Sequence, residues 1–160
     1  MGSLFKNPLG RAGKDGGEAA APGHVKRKRS TVMVKELRER DRRRMLRHFL
    51  ALDNSDRLLR FGTVLPDELL EKYVAKIDFE RDMVYGVYNR VFKLVAVGHL
   101  AFAPKEKSPG KVVTTKEQVA EFGVSVSRSA RGLGIGSKLF ERAAIHCRNR
   151  DVDTLYMHCL

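Results

Sequence analysis

This 160-residue chain is short of several things, and each shortage excludes a class of protein. Its two cysteines, Cys147 and Cys159, are too few for a disulfide framework and suit a reducing cytosol, so a cytoplasmic location is expected. No apolar run approaches the roughly 20 residues of a membrane span, and no membrane partner is expected. The opening stretch, MGSLFKNPLG, has no apolar core for a secretory leader. Gly2 would suit myristoylation, but Lys6 stands where that signal needs Ser or Thr. Acidic residues are scarce too: 19 Asp/Glu against 31 Lys/Arg leave a net charge of +12. The excess is concentrated at the front, where residues 1–60 hold 16 Lys/Arg against 7 Asp/Glu. Such a front attracts phosphate-bearing partners and says nothing about fold. What is present, 42% apolar and 31% charged residues, suits one globular domain with a core of its own.

Residues 1–24 are rich in Gly, Ala and Pro without an apolar period, and read as a disordered tail ahead of one folded domain over 25–160. KRKR at 26–29 matches a nuclear-localisation pattern but reads more simply as a solvated basic lead-in. STVMVKEL at 30–37 is a strand by its β-branched apolar residues. From Asp41 the period becomes helical, with Met45, Leu46, Phe49 and Leu50 on one face and Asp41 placed to cap it. Arg38, Arg40, Arg42, Arg43, Arg44 and Arg47 crowd this region, mostly as a solvated face. NSDRLLRFG at 54–62 reads as a turn with a short helical piece. Pro66 opens a further helix, with Leu69, Leu70, Tyr73, Val74 and Ile77 on one stripe.

Three strands are then expected. MVYGVYNR at 83–90 leads through a tight Asn89-Arg90 turn to 92–103, which is apolar on both faces and should be central. A loop at 104–111 precedes 117–127, where Ala120, Phe122, Val124 and Val126 alternate with Glu121, Gly123, Ser125 and Ser127. Gly123 inside that strand marks a bulge or the close approach of another group. A helix carrying Ile135, Leu139, Phe140, Ala143, Ala144 and Cys147 on one face, and a strand over 154–160, complete the order. The class is α/β (α+β): a mixed, mostly antiparallel sheet with helices on both faces, closed by a parallel strand–helix–strand unit with a right-handed crossover.

Between the strand at 117–127 and the helix lies RSARGLGIGSKLF, 128–140. Gly132, Gly134 and Gly136 alternate just where a helix begins. The first amides of a helix lack internal partners, and the helix dipole adds partial positive charge there. Removing Cβ atoms lets a phosphate or pyrophosphate reach them. The spacing is neither G-x-G-x-x-G nor a P-loop. The other account is a helix start that needs tight packing against the sheet.

Arg131-Gly132-Leu133-Gly134-Ile135-Gly136 fits R/Q-x-x-G-x-G/A. With VSVS before it and SKLFERA after it, the stretch resembles the acetyl-CoA signature of the GNAT superfamily of N-acetyltransferases. The resemblance spans about residues 30–160, including the order of elements. AEFGVSVSRSARGLGIG looks most similar to GNAT domains that acetylate protein lysines in bacteria. It implies acetyl-CoA as co-substrate, a primary amine (small molecule or protein lysine) as acceptor, and no metal. It implies a pyrophosphate on the amides from Leu133 to Ser137, within the turn formed by Arg131, Gly132, Gly134, Ile135 and Gly136. The pantetheine arm would pair with backbone near Val124 and Val126, where an N–H would polarise the thioester carbonyl. Glu121 matches the glutamate that takes the acceptor's proton, with Glu117 or a water chain as the other choices. Asn54, Ser55, Asp56, Arg57 and Arg60 fall at the acceptor wall, where the nearby arginines would repel a polycationic peptide.

That family continues past this point with a helix and two strands, which carry an Asn on the pantetheine and often a Tyr that protonates the thiolate. Here the sequence ends at Leu160, in mid-strand on this reading. The expectation is therefore a GNAT-like domain over 25–160, incomplete for want of the C-terminal helix and last strands. Its open sheet edge could self-associate, and its turnover is left open. Two other functions remain open: a non-catalytic CoA-binding regulatory protein, and a basic nucleic-acid-binding module built on KRKR and the Arg-rich helix. Against the latter, only Phe5, Phe49 and Phe61 among the first 61 residues could stack on bases, and no reader motif occurs. The pairs His146-Cys147 and His158-Cys159 read as core rather than as a soft-metal set, and His99 as a satisfied core histidine. No Ser/His/Asp triad can be argued from the order of residues.

Overall fold

The computed structural model describes residues 32–103 and 118–157. The expected tail, KRKR, the loop at 104–111, Glu117 and the pair His158-Cys159 lie outside the described residues. The described chain runs β1 (Val34–Glu36), α1 (Arg42–Leu50), α2 (Asn54–Phe61), α3 (Asp67–Lys76), β2 (Met83–Tyr88), β3 (Leu94–Phe102), β4 (Val119–Val126), α4 (Ile135–Asn149) and β5 (Thr154–Met157). One 3-10 turn precedes α1 and another follows β4.

The sheet has the strand order β1-β2-β3-β4-β5. The first three junctions are antiparallel and β4–β5 is parallel. A parallel pair needs a long crossover, and α4 supplies it. This is the mixed, mostly antiparallel sheet read from the sequence. β3 lies at its centre, with Leu94 to Leu100 buried throughout. Helix α4 packs one face through Ile135, Leu139, Ala143 and Cys147, against Ala96, Leu100, Ala120 and Phe122. Helices α1 and α3 pack the other through Met45, Phe49, Leu70 and Val74, against Val84, Leu94 and Val97. Phe122 and Phe49 are fully enclosed, each contributing about 2–3 kcal/mol by burial. No helix among the described residues is long and apolar enough to cross a membrane.

Local details depart from the sequence reading. Asp41 does not cap α1. The 3-10 turn Glu39–Asp41 leaves its backbone already helical (φ −93°, ψ −4°), unlike a capping residue. Its carboxylate instead accepts the Arg38 N–H at 3.1 Å and pairs with Arg44 at 3.0 Å. The stretch 54–61 is a complete helix, because the Asp53 carboxylate accepts the Asp56 N–H at 2.9 Å and Gly62 closes the far end. The link from β2 to β3 is longer than two residues. The Asn89 side chain accepts N–H bonds from Val91 and Lys93 at 3.1 and 2.9 Å, standing in for a backbone turn. Leu69 and Phe140, expected on buried stripes, stand at stripe edges, 43% and 39% exposed.

Candidate active site

Beyond β4 the chain makes its 3-10 turn and then passes Gly132 (φ 74°) and Gly134 (φ 75°), both left-handed. Only glycine takes such angles without strain. Gly134 immediately precedes α4, and no side chain caps that helix. The Lys138 N–H is bonded to the Gly134 carbonyl at 3.1 Å, so the amides of Ile135, Gly136 and Ser137 precede the helical ladder. A Cβ at Gly132 or Gly134 would meet nothing within 4 Å, and one at Gly136 would meet only Val126 Cγ2, at 3.9 Å. Tight packing therefore does not explain the glycines. Ile135 is buried and anchors the turn, while Leu133 and Ser137 face outward. The result is a row of unpaired amides and a helix dipole facing open space, a cradle that fits a phosphate.

Among the described residues, the strand that leads to this turn is paired on both sides for only part of its length. β4 is paired with β5 from Val119↔Thr154 to Phe122↔Met157. Its pairing with β3 continues to Ala96↔Val126. Among the described residues, Gly123 to Val126 thus have no β5 partner. This edge, about 13 Å long at the usual rise per residue, ends at the glycine turn. Val124 and Val126 are half-buried on the α4 side, leaving backbone along the opening.

Helix α2 faces this edge. Asn54 and Ser55 are exposed on its first turn. Asp56 is buried, and its carboxylate takes Arg131 Nη2 at 2.5 Å. Arg131 Nε also donates to the Val126 carbonyl at 3.1 Å, so this arginine lashes α2 to the end of β4. Arg57 donates to the carbonyls of Leu50, Leu52 and Leu65 and pairs with Asp67 at 2.8 Å, clamping the links on either side of α2. Arg60 donates from Nη2 to the Tyr73 hydroxyl at 2.8 Å, with its Cζ 4.7 Å from the Phe61 ring centre and 5.6 Å from that of Tyr73. It lies against Gly123, where a Cβ would overlap the guanidinium. That is the close approach anticipated for a glycine within this strand. Glu121 is exposed on β4, in register with Ala101 of β3 and Tyr156 of β5.

A family model described as the acetyltransferase (GNAT) family matches residues 27–160. The chain belongs to the GNAT family. Solved structures share its fold. Glucosamine-6-phosphate N-acetyltransferase from Arabidopsis thaliana is 17% identical, with 82% of this chain and 84% of that one covered and a TM-score of 0.54. Ribosomal-protein-alanine N-acetyltransferase from Brucella melitensis biovar Abortus 2308 is 18% identical, with 81% of each chain covered and a TM-score of 0.55. A "predicted acetyltransferase with acetyl-CoA" from Clostridium acetobutylicum is 13% identical, with 80% of each chain covered and a TM-score of 0.58. No curated protein sequence matches the chain. At such identities the likeness speaks for fold, while the family carries acyl transfer from acetyl-CoA.

Beside Arg60 runs a polar chain that no sequence pattern assembles. The Tyr73 hydroxyl is 2.6 Å from His99 Nδ1, and His99 Nε2 is 3.0 Å from Asp82 Oδ2. Asp82 also accepts from Arg81 at 2.8 and 3.2 Å and from the Phe102 N–H at 3.2 Å. Burial alone would raise the Asp82 carboxyl, but the Arg81, His99 and Phe102 bonds outweigh it and hold it below its ordinary value. An ionised Asp82 only accepts, so His99 carries its proton on Nε2 and accepts from Tyr73 on Nδ1. The donors therefore run one way, from Arg60 through Tyr73 and His99 to Asp82. Burial lowers His99 below its ordinary value against the pull of Asp82, and raises Tyr73. His99 is indeed a satisfied core histidine. Its place in the buried run of β3 was the signal that it needed partners.

A second buried histidine went unread. His48 of α1 lies 2.8 Å from the Ser125 hydroxyl, and its pKa falls to about 4. Burial is the main cause, and the charges of Arg60 and Lys93 add to it. A pocket of about 640 Å³ opens elsewhere, beside β1 and the segment before β2, and includes neither β4 nor the glycine turn. Among the described residues, no three His, Cys, Asp or Glu side chains gather as a metal site requires.

Proposed function

We propose that this chain is an acetyl-CoA-dependent N-acetyltransferase acting on a primary amine. One observation carries the reading: uncapped amides at the head of α4 face open space, directly beyond an end of β4 that has no β5 partner among the described residues. Leu133 to Ser137 would hold the pyrophosphate there, with Gly132, Gly134 and Gly136 keeping side chains out of its way. The backbone near Val124 and Val126 would pair with the pantetheine arm. An N–H from the same stretch would stabilise the oxygen on which negative charge develops. Arg131 would fix the turn through Asp56 and add positive charge beside it.

Acetyl-CoA supplies the activated acetyl group. The acceptor arrives as an ammonium ion and must lose a proton before it is nucleophilic. Glu121, exposed at the mouth of the edge, is the carboxylate proposed to take it. Asn54 and Ser55 form the outer wall. Asp56 and Arg57 act by holding that wall in place, since their polar atoms are engaged within the fold.

Calorimetric titration of acetyl-CoA tests this reading, with Gly136→Glu as the comparison. Position 136 lies in the helix, where a Cβ meets only Val126 at 3.9 Å, so the substitution adds a charge without adding backbone strain. Wild-type binding that the glutamate abolishes is the expected result. Equal binding by both proteins would move the phosphates away from this turn. No binding by a folded wild type would overturn the reading.

A further inference from the structure

Arg60 is the exception among the arginines around the cleft. Arg57, Arg128 and Arg131 each hold a carboxylate. Among the described residues, no carboxylate lies within ion-pair distance of Arg60. Its hydrogen bond to Tyr73 uses one N–H, and its Nε is buried without a partner. A guanidinium has five N–H donors, so most of this one's capacity is unspent. A buried donor left unmet is costly.

The fold nevertheless keeps the group in place. Two aromatic rings flank it, and Tyr73 is itself held through His99 to Asp82. Asp82 is no direct counter-ion, because its oxygens already serve Arg81, His99 and the Phe102 N–H. The guanidinium lies against Gly123, the first β4 residue without a β5 partner among the described residues and the neighbour of Val124. The glycine turn begins at the other end of that edge, so a pyrophosphate seated there lies too far along β4 to be Arg60's partner.

We infer that Arg60 binds a carboxylate on the acceptor, and that the acceptor is a small aminocarboxylate such as a free amino acid rather than a protein lysine. The inference rests on the acetyl-transfer reading above and names its substrate class. A carboxylate on Arg60 places an amine one or two carbons away beside Val124, where that reading puts the thioester. A lysine ε-amine has no carboxylate so near. Guanidinium groups take carboxylates through paired N–H bonds. The charge of Arg60 beside the substrate ammonium also favours loss of its proton. Paired or not, the arginines of this wall favour an anionic guest over a polycationic one.

Matched acceptors test the inference: amino acids against their decarboxylated amines, such as leucine against isoamylamine, with release of CoA as the readout. Spermidine and a lysine peptide complete the panel. The amino acid of each pair is expected to show kcat/KM about 10- to 100-fold higher, the size of a charged hydrogen bond. Arg60→Gln should equalise the pair, and Arg60→Lys should restore part of the difference. Both variants should bind acetyl-CoA within about twofold of wild type, which checks that they fold and that Arg60 does not serve the phosphates. The inference is overturned if the decarboxylated amines serve as well, if Arg60→Gln leaves the ratio unchanged, or if only spermidine or the peptide is acetylated. It also falls if acetyl-CoA binds but no amino acid is acetylated. Failure to bind acetyl-CoA would instead remove the acetyl-transfer reading itself.

Discussion

The guanidinium of Arg60 occupies the space that a side chain at Gly123 would fill. A side chain at Gly123 requires the guanidinium to move. Gly123→Ala should therefore displace the guanidinium from the Tyr73 and Phe61 rings. The lost ring contacts are offset by the better strand behaviour of alanine, so stability should change by less than about 1 kcal/mol. Use of carboxylated acceptors should fall about as far as in Arg60→Gln, with acetyl-CoA affinity kept. Denaturation curves and matched-acceptor kinetics read the two effects separately. Unaltered kinetics would mean that the guanidinium works from another position.

The three glycines of the turn should not respond alike. Gly134→Ala places a Cβ at φ 75°, which costs about 1–2 kcal/mol. Gly136→Ala lies within α4, where alanine is the better helix former, and should be neutral or stabilising by up to about 1 kcal/mol. Urea denaturation of the pair decides this. Equal losses would mean that position 134 is not left-handed in solution.

Periodicity and punctuation carried most of the fold. The alternation of β4, the doubly apolar β3 and the stripe of α4 lie in the sheet as read, because in each the apolar period matches the face that is buried. The shape of the glycine turn was legible too, since left-handed backbone at Gly132 and Gly134 is what alternating glycines allow. What could not be read depends on contacts distant in sequence. Asp82, His99, Tyr73 and Arg60 come from the segment before β2, from β3, from α3 and from α2, and no spacing rule brings them together. Arg57 and Asp56 look from the sequence like open acceptor-wall residues, yet they fasten loops and neighbouring helices. The caps were misplaced because a 3-10 turn shifted the start of α1 and moved Asp41 out of the capping conformation.

Acid should destabilise the fold through His48 before it reaches the carboxylates. The folded pKa of about 4 lies below the ordinary 6.5, so the unfolded chain binds the proton first. The stability this confers is complete above pH 6.5 and is lost as pH falls toward 4. At full extent the loss is about 3 kcal/mol, taking 1.4 kcal/mol per unit. His99 is lowered by burial and adds to the same slope. His48→Gln should flatten the fall in stability between pH 6.5 and 4 while leaving the His99 part. An unchanged slope would show that His48 is protonated freely in the folded state.

Asp82→Asn should likewise flatten the loss of stability in acid, at lower pH than His48→Gln, and reach as far as Arg60. The carboxylate faces only donors, from Arg81, His99 and the Phe102 N–H. An asparagine must turn its NH₂ toward one of them. If it turns toward His99, the imidazole must move its proton to Nδ1 and can no longer accept from Tyr73. The loss of charge-assisted bonds should cost about 2–3 kcal/mol at pH 7. Asp82 is held below its ordinary carboxyl value, so its contribution is present above the unfolded pKa of 3.8 and disappears as pH falls through the folded one. The stability gap between wild type and variant should therefore narrow below pH 4. A gap of constant width, or an imidazole whose nitrogen-15 spectrum still shows the proton on Nε2, would remove Asp82 as the group that orients His99 and, through Tyr73, Arg60.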